Sequence, residues 1–195
     1  MNKGLLIVFS GPSGCGKGTC MEALLAADPE IALSVSATTR APRPAEIDGV
    51  HYHFVTREQF LEGIETGDML EYAEYNNCFY GTPASAVERQ LAEGKVVFLE
   101  IEVQGALKVR QKCPEAVMIF LMPPSKEELR RRLEKRSTNT PEDIQRRLKI
   151  AEDEMSVAPE YDYIVYNNAL EDAVDDIRAI IRAERCRTER QLSDR

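Results

Sequence analysis

One stretch, Gly11-Pro12-Ser13-Gly14-Cys15-Gly16-Lys17-Gly18-Thr19, constrains the fold of this chain more than any other. It follows the apolar run Leu5–Phe9 and opens a helical pattern marked by Met21, Leu24 and Leu25. Gly11, four residues, then Gly16-Lys17 is the spacing of a phosphate-cradling loop set between a strand and a helix. Glycines let backbone N–H groups approach phosphate oxygens that larger side chains would hold off. The helix N-terminus and the Lys17 ammonium add positive potential. A tight turn would account for the glycines, but not for the lysine or for the strand and helix that flank it. Cys15 is read as a small spacer in the loop, not a nucleophile, whose oxidation would block the site.

The usual pattern places Ser or Thr directly after the lysine, where it touches Mg²⁺. Here Gly18 stands in that place and Thr19 follows, so the metal contact is expected from Thr19 or through water. The net charge of −8 over 195 residues argues against electrostatic wrapping of DNA or RNA. A nucleotide site must then be a local cationic pocket in an acidic protein. Cys15, Cys20, Cys78, Cys113 and Cys186 show no paired metal-ligand spacing, as suits reduced thiols in a cytosol. His51 and His53 alternate along one expected strand without a third convergent ligand, so no zinc site is expected. No apolar run reaches membrane-spanning length, and the first strand starts too near Met1 to leave room for a signal peptide. A cytoplasmic protein is expected, with neither a membrane nor a nucleic-acid polymer as partner.

Short apolar runs alternate with amphipathic patterns, which predicts an α/β fold with a central parallel sheet between helix layers. The clearest strands are Leu5–Phe9, Val96–Ile101, Val117–Leu121 and Tyr163–Tyr166. Helices are expected over Gly18–Ala27, Arg57–Thr66, Ala84–Glu93, Val103–Lys112, Lys126–Arg136, Glu142–Met155 and Leu170–Arg187. Thr82-Pro83 and Thr140-Pro141 read as helix starts, and Ser125 with Glu128 as a capping box. Two stretches break the alternation. Ser34 to Tyr80 is richer in aromatics and strand-like, with His51–Val55 and Leu70–Tyr75, and reads as an inserted mixed lobe. Ser125 to Pro159 is a helical hairpin dense in cations, the composition of a mobile lid. Ala173, Val174, Ile177, Ile180 and Ile181 suit packing on the core or on a second subunit, leaving monomer and homo-oligomer both open.

Arg40 and Arg43 lie in a segment stiffened by Pro42 and Pro44. Guanidinium forks suit a phosphate with free oxygens. Alone these would be solvated surface arginines; beside a phosphate loop and tyrosines they form a candidate second anion site. At the end of Val96–Ile101, Glu100 and Glu102 alternate on one strand face. An acid there can hold a magnesium-bound water near the loop, the Walker-B role. Two acids capping the next helix are the plainer alternative.

Taken with Ser36-Ala37-Thr38-Thr39-Arg40-Ala41-Pro42-Arg43-Pro44, Gly49-Val50-His51-Tyr52-His53-Phe54 and Tyr80-Gly81-Thr82-Pro83, the loop makes the chain resemble the guanylate kinases. These are nucleoside monophosphate kinases of the P-loop class, which transfer phosphate from ATP to GMP. The resemblance implies one domain over residues 4–187 with a P-loop three-layer fold. Its core would be residues 4–33, 82–124 and 160–187, its GMP-binding lobe 34–81 and its lid 125–159. It implies that Gly11, Pro12, Ser13, Gly14, Cys15, Gly16, Lys17, Gly18 and Thr19 cradle ATP as its Mg²⁺ complex, with Arg132, Arg136 and Asn167 also on the ATP side. Arg40, Arg43, Tyr52 and Tyr80 would hold the phosphate of GMP or dGMP, with Ser36, Glu71, Thr82 and Glu102 on the nucleoside side. Glu100, with Thr19, would face the metal, through water. Lys17, Arg40, Arg132, Arg136 and Arg147 would carry the charge of the reaction. Chemistry supports Glu71, because a carboxylate accepts from both N1–H and the 2-amino group of guanine, a donor pair that adenine lacks.

The chain departs from the family where Glu100 and Glu102 replace aspartates and where Asn168 replaces an acid. No general base is required, since a bound phosphate monoester is mostly a dianion at neutral pH. Direct in-line transfer without a phosphoenzyme is expected. Two rivals remain open at this stage: a phosphopeptide-binding module built on the same fold, and a kinase of another phosphorylated acceptor, such as AMP or a ribose phosphate.

Overall fold

The computed structural model describes residues 4–135 and 140–192. The chain begins β1 (Leu5–Ser10), α1 (Lys17–Ala27), β2 (Ile31–Leu33), β3 (Ala37–Thr38), β4 (His53–Phe54), α2 (Arg57–Glu65), β5 (Met69–Tyr75) and β6 (Cys78–Pro83). It continues through α3 (Ala84–Ala92), β7 (Val96–Glu100), α4 (Val103–Lys112), β8 (Val117–Met122), α5 (Lys126–Glu134) and α6 (Pro141–Met155). The last elements are β9 (Tyr163–Tyr166), α7 (Leu170–Arg185) and α8 (Thr188–Leu192).

β1 lies at the centre of a five-stranded sheet of order β2-β7-β1-β8-β9, every neighbouring pair parallel. Its side chains explain why. Leu5, Ile7 and Phe9 enter one core with Met21 and Leu24 of α1 and Ile177 and Ile181 of α7. Leu6 and Val8 enter the opposite core with Val87 of α3 and Val103, Ala106 and Val109 of α4. A strand covered on both faces has no polar side, hence its unbroken apolar run. Each large side chain buried this way contributes about 1.5–3 kcal/mol. The apolar stripe of α7 belongs to this core: Ala173 and Ile177 are fully buried, and Val174 and Ile180 pack against them.

A second sheet, of order β4-β3-β6-β5, is mixed. β3 and β4 run parallel, while β6 is antiparallel to both β3 and β5. Asn76 and Asn77 link β5 to β6 with φ of 49° and 60°, the left-handed pair that a tight hairpin requires. α2 buries Phe60 against this sheet, stacked on Phe79 at 5.2 Å between ring centroids. α4 ties the two sheets together: Lys108 Nζ donates to the Tyr72 carbonyl and Lys112 Nζ to the Met69 carbonyl, each at 2.7 Å. α5 and α6 pack as a hairpin around Leu129, Leu133, Leu148 and Ala151.

Four local expectations change. Thr82 does not cap α3; it lies in β6, and Asp68 instead holds the N–H and hydroxyl of Ser85 at 2.7 and 2.8 Å. Ser125 accepts from the Glu128 N–H, but the return half of the capping box is missing. Arg131 and Arg132 take the Glu128 carboxylate and hold its pKa down to about 2. β7 ends at Glu100, and Glu102 is the N-cap residue of α4 without a side-chain bond, so the two acids do not share one strand. His51 lies outside β4, and its Nδ1 accepts the Ile47 N–H at 3.0 Å.

Candidate active site

The phosphate loop spans the gap between the end of β1 and the start of α1. Gly11 and Gly16 have φ of 154° and 102°. A Cβ at Gly11 would strike the Leu121 carbonyl oxygen, and one at Gly16 would strike the Asn167 amide nitrogen. Both positions therefore demand glycine for conformation and for space. Behind the loop, the Cys15 carbonyl accepts from Asn167 Nδ2 at 2.8 Å and from Arg132 Nη1 at 3.0 Å. Arg132 Nη2 donates to the Asn167 carbonyl at 3.2 Å, and its Nε to Glu128 at 2.9 Å. One loop carbonyl thus joins the phosphate loop, α5 and the turn after β9. Asn167, expected on the ATP side, gives its amide N–H to the loop.

Cys15 is fully buried, and burial pushes its thiol up. An oxidant meets no accessible thiolate there, which corrects the expected oxidative block. Lys17 Nζ donates to the carbonyls of Gly11 at 2.5 Å and Pro12 at 3.4 Å. Glu100, paired in register with Phe9 of β1, lies within electrostatic reach of this ammonium. Burial pushes its carboxyl up, Lys17 pulls it down and Glu22 adds a smaller upward push. Thr19 is exposed in the first turn of α1, and Gly18 has open space around it. Arg147 is half-buried on α6, and Arg136 lies outside the described residues.

A cavity of about 380 Å³ opens where the second sheet meets the carboxyl end of β7. Ser36, Tyr52, Glu71, Tyr80 and Glu102 line it, together with Glu100. Glu71 is 8% exposed, and its Oε1 accepts the Thr82 hydroxyl at 2.8 Å. Its Oε2 passes 3.0 Å from where a Cβ of Gly105 would sit, so the absent side chain makes room for the carboxylate. Burial pushes the Glu71 carboxyl up, against the pull of Thr82 and Lys108. A larger cavity, about 450 Å³, lies at the other end of the strands beside Gly4, Arg110 and Glu115. Open parallel sheets place ligands at the carboxyl ends of their strands, which is where the smaller cavity and the loop lie.

Arg40 is engaged. Its Nη1 and Nη2 meet the two oxygens of Glu46 at 2.9 and 2.8 Å, and the Arg43 N–H adds a bond to Glu46 at 2.7 Å. These donors hold the Glu46 carboxyl down to about 2, while Glu46 and then Tyr80 push the Arg40 guanidinium up. The guanidinium carbon stands 5.6 Å from the Tyr52 ring centre and 5.7 Å from that of Phe54. Tyr52 and Tyr80 meet edge to face at 6.1 Å, and the Arg43 side chain is exposed. A carboxylate of the protein thus satisfies the fork expected to take a phosphate. Sequence reading missed Glu46; the available signal was its place six residues after Arg40 in the same proline-stiffened segment.

A family model described as guanylate kinase matches residues 3–184. The chain belongs to the guanylate kinase family. A guanylate kinase of Clostridium perfringens is 53% identical over 189 residues, covering 97% of this chain and 88% of the relative. One of Halalkalibacterium halodurans is 55% identical over 190 residues, covering 97% and 93%. The crystal structure of guanylate kinase from Anaplasma phagocytophilum matches at a TM-score of 0.75 and 38% identity, over 97% of this chain and 90% of that one. Within this guanylate kinase fold, Glu100 lines the cavity that holds Glu71 and lies within electrostatic reach of Lys17 of the loop.

Proposed function

We propose that this protein transfers the γ-phosphate of ATP to GMP, and to dGMP, giving ADP and GDP. The observation that carries the reading is Glu100, which borders both the lysine-bearing loop and the cavity lined by Glu71 and the two tyrosines, with Arg40 over the Tyr52 ring. Two phosphates placed in those sites would meet end to end. The loop N–H groups and Lys17 would bind the donor tail. Arg40, Tyr52 and Tyr80 would bind the acceptor phosphate once Glu46 gives up the fork, with Arg43 as the exposed outer arm. Glu71 would read guanine, with Thr82 fixing its carboxylate and Ser36 and Glu102 completing the wall.

The acceptor is already nucleophilic as a dianion, so the chain's task is alignment and charge screening. Arg132, held at the loop, would screen the transferring group together with Arg147 and Arg136 when the α5–α6 lid closes. Closure would also exclude water as a competing acceptor. Magnesium binds such sites through one or two carboxylates plus substrate phosphates; Glu100 and Thr19 are the oxygen donors that fit it here. When bound, the ion supplies neutralisation of the phosphate charge. Among the described residues no helix is long and apolar enough to cross a membrane.

A coupled ADP assay across GMP, dGMP, AMP, UMP and CMP tests the reading. GMP and dGMP are expected to be turned over far faster than the others. Lys17→Ala, whose side-chain contacts are two loop carbonyls, is expected to lose turnover by about 10²-fold or more with the fold intact. Equal rates with AMP, or near-normal activity of that variant, would overturn it.

A further inference from the structure

The two faces of the β5–β6 hairpin do different work. From Glu71 onward the even-numbered side chains of β5 point to α2. Tyr72 packs with the cluster around Phe60, and Glu74 pairs with Arg57 at 3.3 Å. Side chains alternate along a strand, so Glu71, Ala73 and Tyr75 share the opposite face, and all three line the cavity of about 380 Å³. The pairing with β6 places Thr82 opposite Glu71, Tyr80 opposite Ala73 and Cys78 opposite Tyr75. That face thus runs from a buried carboxylate, past a single methyl group, to an aromatic ring at the rim. Glu71 is 8% exposed and Tyr75 68%. Roughly 13 Å of strand separates the two, and Glu102 and Gln104 supply the α4 side of the cavity.

A single tyrosine in solvent needs no explanation. Tyr75 differs because its ring borders a cavity and, among the described residues, its side chain has no hydrogen-bond, ionic or ring partner. The Asn76–Asn77 turn, with both residues left-handed, fixes the end of the strand that carries it. A tyrosine offers a broad, rigid face at a small cost in side-chain entropy. The reaction as proposed leaves this ring and the gap above Ala73 unused.

We propose that Tyr75 is a substrate-binding residue whose ring packs against the base of the acceptor nucleotide, which lies in the gap above Ala73. The inference rests on the reading of this cavity as the acceptor site. Glu71 selects among bases by the donors on their edge. Tyr75 acts on the flat face, which every base has, and so sets affinity without choosing guanine over adenine. Covering the base also shields the Glu71 contacts from water, which strengthens them.

The test is calorimetric titration of the full chain with GMP, alongside initial rates, for wild type, Tyr75→Ala, Tyr75→Phe and Ala73→Leu. Tyr75→Ala is expected to weaken GMP binding about 5–100-fold, the effect of removing an aromatic partner from one base. Its KM for GMP should rise with little change in kcat, in affinity for a non-hydrolysable ATP analogue, or in the preference for GMP over AMP. Tyr75→Phe keeps the ring and should stay near wild type. Ala73→Leu fills the gap and should weaken GMP binding by about tenfold or more. Both positions are exposed, so melting temperatures should hardly move. GMP binding by Tyr75→Ala equal to wild type overturns the proposal. So does a loss in Tyr75→Phe as large as in Tyr75→Ala, which would assign the effect to the hydroxyl. An equal loss of the ATP analogue, marking a structural effect, or normal GMP binding by Ala73→Leu overturns it as well. If wild type itself binds no GMP, the acceptor-site reading falls first and this inference with it.

Discussion

Replacing Glu71 by Gln separates recognition from stability at one side chain. The carboxylate is 8% exposed, and one oxygen is already engaged by the Thr82 hydroxyl at 2.8 Å. If Glu71 reads guanine, it accepts from two base donors, and charge-assisted bonds are worth about 1.5–3 kcal/mol each. Glutamine keeps the shape and one acceptor, but turns an N–H₂ toward a guanine donor. The net loss is about 3–4 kcal/mol, a factor of roughly 10²–10³ in kcat/KM for GMP. ATP affinity should not follow. Stability moves the other way. The folded carboxyl sits above its ordinary value of 4.5, so the folded chain binds more protons than the unfolded chain as pH rises from 4.5 toward the raised value. Stability falls across that window and remains lowered above it. The variant lacks this penalty, so it should unfold at an equal or higher temperature near pH 7, with the advantage gone below pH 4.5. Initial rates with GMP and AMP and thermal melts at two pH values decide. A variant that still strongly prefers GMP, or that melts lower at neutral pH, refutes the assignment of this buried charge.

Two glycines of the loop should behave oppositely. Gly16→Ala places a Cβ against the Asn167 amide at a φ of 102°, and should cost about 2 kcal/mol or more in denaturant unfolding along with donor binding. Gly18→Ala meets nothing within 4 Å and lies in the first turn of α1, so it should be neutral or stabilising by about 0.5–1 kcal/mol. Glu46→Gln probes the acid limb of stability. The folded carboxyl is held near 2 against an ordinary 4.5, so its contribution is present above pH 4.5 and lost as pH falls through 2. Wild type should be the more stable at pH 6 and the two should converge near pH 2; parallel curves would contradict the Arg40–Glu46 pairing.

Much of the local structure could be read from the chain because its causes are local. Thr140-Pro141 with Asp143 forms a full capping box on α6, since every partner lies within one turn. The Thr82-Pro83 pair looked equivalent but was not, because β6 pairs with β5 and turns Thr82 toward Glu71. The cavity beside β7 was largely legible: five of the residues expected around GMP line it, and Arg40 stands over the Tyr52 ring. Glu46 was not, since its place six residues after Arg40 does not by itself say which of many acids closes onto that guanidinium. Asn167 braces the phosphate loop, a contact that its sequence position did not announce. It reaches the Cys15 carbonyl because β8 lies between β1 and β9.

The chain by itself determined the phosphate loop, the strand and helix that frame it, and the apolar runs that must be covered on both faces. Those depend on φ preferences and on periodicities a few residues long. The tertiary structure alone decided which charges meet. Arg40 closes on Glu46, Arg132 grips the loop, and Lys17 bonds two loop carbonyls within electrostatic reach of Glu100. Apart from the short-range Arg40–Glu46 pair and the bonds of Lys17 within its loop, these contacts join residues far apart in sequence. Their distances are fixed by strand order and by how α5 docks, and no short-range preference encodes them.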